Sequence, residues 1–187
     1  RDGSIFSHIG ITLFETIVRF LIVTVVGILA AVLLWSSRSA SEILEPYLVM
    51  LNSLPKSALA PILIVWLGSS MRTIVAAAVS VAVFGSILTL HNGFMSMDPD
   101  QARLIRSLGG GKREILFKVL LPGSVPLIIS NMKVNIGLCL VGVIIGEFLS
   151  ARAGLGYLIT YSAQTFTMTV LMTSIMILCL LSWLLYQ

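Results

Sequence analysis

The sequence predicts an all-α polytopic membrane protein, and three observations carry that prediction. The chain of 187 residues is 57% hydrophobic and only 11% charged, with a mean hydropathy of +1.03. A soluble domain of this length would need far more polar residues to cover its exterior. Its apolar residues are gathered into runs near the length of about 20 that crosses a hydrocarbon core. Its charge is gathered between those runs: Arg103, Arg106, Lys112, Arg113 and Lys118, five of the twelve Lys and Arg, lie between Asp98 and Pro122.

About five spans follow. Span one runs from about Ile9 to Trp35 and carries Glu15 and Arg19. Span two, about Ile43 to Leu67, is interrupted by Pro46, Pro55, Lys56 and Pro61. Span three, about Thr73 to Leu90, is cleanly apolar. Span four runs from near Pro122 to about Gly146 and is broken only by Lys133; span five covers about Thr167 to Tyr186. Basic loops favour the cytoplasmic side. Placing Asp98–Lys118 there puts Arg38 on the same side and leaves Arg1, Arg72 and Arg152 outside, a basic count of six to three. The first residue is then outside, so the single domain of residues 1–187 is expected to lack an N-terminal span and a C-terminal tail.

The net charge of +4 lies in loops rather than on one basic face, which argues against nucleic acid as a partner. Cys139 and Cys179 fall inside apolar spans, where a thiol acts as a small hydrophobe. His8 and His91 lie near span ends without metal-ligand spacing. No cofactor is expected in the chain.

The basic segment carries helix signals. Asp98 suits an N-cap, Pro99 the first helical position, and Gln101 the reciprocal place in a capping box. Leu104, Ile105 and Leu108 then fall on one side, with Arg103 and Arg106 opposite. Gly109, Gly110 and Gly111 stop the helix, and a second helical run, Lys112 to Leu121, ends at Pro122. Such an amphipathic, doubly capped element fits a cleft on a partner; a helix that only links two spans would look similar. It is not a nucleotide site. Gly111-Lys112 imitates the end of a P-loop, but Arg113 stands where Ser or Thr is required and Arg106 where the first glycine belongs.

Gly109 is followed thirteen residues later by Pro122, with Val119 and Leu121 three and one before it. This pattern resembles the EAA motif of ABC importer permeases, the coupling helix that engages an ATPase subunit. Leu44-Glu45-Pro46, Leu54-Pro55, Ala60-Pro61, Val65-Trp66-Leu67-Gly68, Gly146-Glu147-Phe148-Leu149 and Gly154-Leu155-Gly156-Tyr157 resemble the nitrate/sulfonate/taurine-type permeases. The Glu-Ala-Ala that opens the family motif falls here on Arg103, Leu104 and Ile105, so a basic residue replaces the acidic one. The resemblance implies a type I ABC importer transmembrane domain in a bacterial inner membrane. It implies two permease subunits, in the simplest case identical, and cytoplasmic ATPases that hold ATP and Mg²⁺. An external binding protein would deliver a small solute, such as an anion or a vitamin precursor. It assigns ATPase coupling to Asp98, Arg103, Leu104, Ile105, Arg106, Leu108, Gly109, Gly110 and Pro122.

Charges inside the membrane are costly and invite a functional reading. Glu15 and Arg19, four apart, suit a pair on one helix face. Lys133 and Glu147 either line the pathway or satisfy backbone and neighbouring side chains. Pro55 and Pro61 mark a gate or a kink. Gly142 and Gly146, in GxxxG spacing, suit close helix packing, within the chain or against a second permease. Gly154–Ile159 suits an outer turn and short helix. The alternative function is a secondary transporter or channel. It would need an ion site or filter, yet no inverted repeat or paired broken helices are visible. A membrane enzyme would need a nucleophile or metal constellation that the sequence lacks.

Overall fold

Lipid offers no hydrogen-bond partners, so an apolar chain within it must satisfy its backbone internally and coil into helices. The computed structural model describes residues 3–55, 62, 65–66, 71–150 and 153–186, and among these there is no strand. Helix α1, Gly3–Ser36, is the longest at 34 residues. After one residue α2, Arg38–Ser53, begins on an N-cap made by Ser37, whose hydroxyl accepts from the Ala40 N–H. Helix α3 is Met71–Met95 and α4 is Pro99–Ser107. Helix α5, Lys112–Ile115, continues through a π-helical turn, Leu116–Leu120, into α6, Leu121–Gly123. The last three are α7, Val125–Ser150, α8, Leu155–Gln164, and α9, Met168–Tyr186.

Among the described residues three helices are individually long and apolar enough to cross a membrane: α1, α7 and α9. A fourth candidate is α3, whose stretch Val79–Met95 qualifies together with α4, from which it is bent by 61°. The expected second span is revised. Its helix starts at Arg38, ahead of Ile43, and stops at Ser53, because Leu54 is extended (ψ 138°). A residue that precedes proline is driven out of the helical region by the proline ring, and here that proline is Pro55. The expected break at Pro61 lies outside the described residues.

Helices α1, α3 and α7 pack together as the central group. One apolar cluster joins Val23, Leu34, Ala82, Val83, Ile87 and Cys139. A second, nearer the basic loop, joins Ala31, Leu90, Phe94 and Leu120. Close approach is set by absent side chains: a Cβ on Gly93 would lie 2.0 Å from Leu127 Cδ2, and one on Gly27 2.7 Å from Ser86 Oγ. Helix α9 rests on α7 and α8, and along it only Ser174 is fully buried.

Two polar knots tie these helices. In the first, Asn131 and Asn135 of α7 each donate an amide hydrogen to Ser86 Oγ of α3, at 2.8 and 2.9 Å. All three residues are buried. In the second, at the end far from the basic loop, Thr12 Oγ1 donates to Glu147 Oε1 at 2.8 Å while accepting from the Leu155 N–H at 2.9 Å. Glu147 Oε2 accepts from the Gly156 N–H at 2.7 Å, and His8 Nδ1 from the Gly154 N–H at 2.9 Å. The turn wraps the carboxylate so closely that a Cβ on Gly154, whose φ is +108°, would lie 2.3 Å from Glu147 Cδ. The short outer helix α8 is therefore positioned by its first backbone N–H groups. One turn along α1, Arg19 and Glu15 form a buried salt bridge at 2.7 Å, the expected pair.

Ser86→Ala leaves two buried amides without their shared acceptor and is expected to destabilise the protein by about 1–2 kcal/mol, read as a lower unfolding midpoint in detergent. Glu147→Ala strands the Gly156 N–H and the Thr12 hydroxyl. It should cost roughly 2–4 kcal/mol, with Glu147→Gln, which keeps one acceptor, costing less. Equal losses in the two Glu147 variants would contradict the role given to its oxygens.

Candidate functional site

The basic loop is built on α4, and its caps are visible in the geometry. Asp98 Oδ1 accepts from the Asp100 N–H at 2.9 Å, and Pro99 opens the helix. The capping-box bond expected of Gln101 is not made; the cap acts on the second helical N–H alone. At the other end Gly109 (φ +81°) takes the left-handed conformation. The Gly109 N–H bonds the Arg106 carbonyl at 3.0 Å and the Gly110 N–H bonds the Ile105 carbonyl at 2.9 Å, the paired pattern of a Schellman stop. Gly110 has no room for a side chain, since its Cβ would lie 2.5 Å from Ile105 Cγ2.

The expected apolar side of this helix divides in two. Leu104 and Leu108 are exposed, by 61% and 76%, while Ile105 is half-buried and turned back against Gly110. Arg103 pairs with Asp100 at 2.8 Å, both exposed, a contact worth little to stability in water. Arg106 is exposed. The loop thus presents two leucines beside cationic side chains, with no covering from the described residues.

Its second half departs from a plain helical run from Lys112 to Leu121. The Gly111 N–H is received by Glu114 Oε2 at 2.8 Å; backbone hydrogen bonds hold the Glu114 carboxyl below its usual pKa. The Leu121 N–H then bonds the Leu116 carbonyl, five residues back. Pro122 has no N–H to continue the α-helical ladder and its ring crowds the carbonyl four residues earlier; the wider turn accommodates that carbonyl. Lys112 Nζ reaches the Ser36 carbonyl at the end of α1, at 3.3 Å. The loop is held at three places: α3 before it, α7 after it and α1 beside it.

The remaining described candidates lie apart from the loop, and Gly142, Gly146 and Glu147 share the far end of α7. Glu147 is buried and satisfies backbone and a neighbouring hydroxyl, as described above. Lys133 is exposed on α7 and has no polar partner among the described residues. Gly142 and Gly146 are buried within the chain itself. Pro55 is exposed and non-helical. Sequence reasoning missed the Ser86–Asn131–Asn135 knot, although two asparagines four apart in an apolar span were a visible signal. It also missed a cleft of about 450 Å³ beside α2, lined by Arg38, Ser41, Glu42, Glu45 and His91. There His91 Nε2 and Ser41 Oγ lie 2.8 Å apart and join α3 to α2. Among the described residues no group of three His, Cys, Asp or Glu could hold a metal ion.

Comparison with known proteins bears on this arrangement. Residues 23–186 match the model of the family described as binding-protein-dependent transport system inner membrane component. The formylaminopyrimidine transport permease protein ThiX of Halalkalibacterium halodurans is 28% identical over 156 residues, 83% of this chain and 62% of that protein. The taurine transport system permease protein TauC of Escherichia coli is 22% identical over 98% of this chain and 67% of its own length. The putative aliphatic sulfonates transport permease protein SsuC of Bacillus subtilis is 25% identical, over 87% and 59% respectively. The chain therefore spans about three fifths of the length of some curated relatives. The fold is that of a chain of the MetNI methionine ABC transporter in an inward-facing conformation, with a TM-score of 0.79 at 20% identity over 93% of this chain and 87% of that one. A bundle of apolar helices interrupted by a capped, exposed basic loop, matched from residue 23 to residue 186, belongs to the binding-protein-dependent transport system inner membrane component family.

Proposed function

We propose that this chain is the permease subunit of an ATP-driven importer, and that α4 with the following turn couples it to a separate cytoplasmic ATPase. The observation that carries the reading is the loop itself. Leu104 and Leu108 are exposed on a helix capped at both ends, in a loop that runs between α3 and α7 and is tied to α1 through Lys112. An apolar pair ringed by cations at the mouth of a rigid loop suits a partner cleft with an apolar floor and an acidic rim. Arg103, where the family motif has an acidic residue, would meet such an acidic group. The positive charge of the loop supports a cytoplasmic position for it.

Two permease copies would enclose the pathway, and a binding protein would dock on the opposite face, where α8 is presented. Approach of the two ATPases on binding ATP would draw the two loops together. Because each loop is tied to three helices, the motion would pass to the bundles as rigid-body rocking, turning the pathway from inward- to outward-facing. Hydrolysis of ATP with its Mg²⁺, both in the partner, would reset it. Relatives named for formylaminopyrimidine, aliphatic sulfonates and taurine support a small polar solute. The alternative, a secondary transporter or channel, has no structural observation in its favour among the described residues.

The test is co-purification of the full-length protein with its candidate ATPase and binding protein, followed by ATPase assay in liposomes. Solute-loaded binding protein should stimulate hydrolysis. Leu108→Asp is expected to weaken ATPase association roughly tenfold or more while leaving the unfolding midpoint unchanged, since that side chain touches little of its own chain. Failure of the wild-type protein to associate with any ATPase would favour the transporter-or-channel alternative.

A further inference from the structure

Four charged side chains lie within the apolar stretches Ile5–Ser36, Val79–Met95, Val125–Phe148 and Met168–Tyr186 of the membrane-spanning helices, and three of them are accounted for. Glu15 and Arg19 pair with each other, and Glu147 is enclosed by Thr12 and the Gly156 N–H. Lys133 is the fourth. It sits eight residues into α7, about 12 Å along the helix axis, deeper than a four-carbon side chain recovers by bending back to the surface. Its direction is fixed by its neighbours. Asn131 and Asn135 point into the chain at Ser86, and Lys133, two residues from each, lies roughly 200° around the helix from both. It shares its outward face with exposed Pro126 and Ser130 and with Gly137, around which a side chain would meet nothing within 4 Å.

An exposed ammonium at that depth has three environments available. Lipid is excluded by the cost of an uncompensated charge. A dry contact with a second copy needs an acidic partner, but the described membrane carboxylates, Glu15 and Glu147, are buried inside their own copy. Near a two-fold axis such a contact would also oppose Lys133 to Lys133. Water remains. With both carboxylates neutralised or enclosed, the field at this face is positive. Resting on the permease reading, we propose that Lys133 projects into the water-filled pathway of the assembled permease and there binds an anionic group of the solute.

The experiment uses the assembled transporter in liposomes, with Cys179→Ser removing the exposed native thiol and Cys139 left buried. A reporter cysteine is placed one turn from the lysine, as Gly137→Cys, with Ser130→Cys as a second reporter should the first fail to assemble. Rates of modification are measured at low salt with two methanethiosulfonates of similar size, one bearing a sulfonate and one a trimethylammonium group. Across about 6 Å of water a unit charge favours the anionic over the cationic reagent by about tenfold. That preference should be present with Lys133, kept by Lys133→Arg and lost in Lys133→Met. Absence of modification by either reagent at both positions, or a preference indifferent to Lys133→Met, overturns the proposal. Stimulation of ATPase by the binding protein, measured on the same liposomes, reports separately on the permease reading.

Discussion

Everything in this protein answers to the absence of water around its helices. A backbone or side-chain polar group buried in the bundle has only protein to bond with, and the structure meets that demand at a few shared points. One serine oxygen serves two asparagine amides. One carboxylate serves a threonine hydroxyl and a backbone N–H, and the same threonine takes a second N–H. These knots sit on apolar clusters that have no hydrophobic drive to associate in lipid, where alkyl side chains resemble the solvent. Directional bonds and the close approaches allowed by Gly27 and Gly93 give the helices a defined arrangement.

The same constraint explains the two ends of the molecule. At the far end, the turn before α8 would expose three successive N–H groups at residues 154–156. Instead they close on His8, Thr12 and Glu147, so the outer helix is held by α1 and α7 together. At the basic end water is available, and polar groups there are bonded mainly locally, Asp98 to its own helix, Glu114 to Gly111 and Arg103 to Asp100, while Lys112 reaches across to the Ser36 carbonyl. Local bonds leave the outer surface of the loop unoccupied while keeping its shape. A surface of fixed shape is what a second protein can grip, and a loop anchored at α1, α3 and α7 is able to transmit force.

Lys133 is the exception that the constraint makes informative. Where every other described membrane charge is matched inside the chain, one lysine is left facing out. A monomer in lipid would carry it at a heavy cost.

Much of this was legible in the sequence. Apolar runs and charge placement determined the helical class and the position of the basic loop, because lipid acts on each segment by itself. Local chemistry determined the caps at Asp98 and Gly109, which depend on bonds within a few residues. The motif around Gly109 and Pro122 determined the family resemblance that the match over residues 23–186 bears out. Tertiary structure decided what depends on distant neighbours. It placed Glu147 against a turn seven to nine residues further on and against Thr12, 135 positions away, and it joined Asn131 and Asn135 to Ser86, 45 and 49 positions away. A single segment states which groups are polar and which face of its helix they occupy. Which of them finds a partner is decided only when other helices are laid against that face.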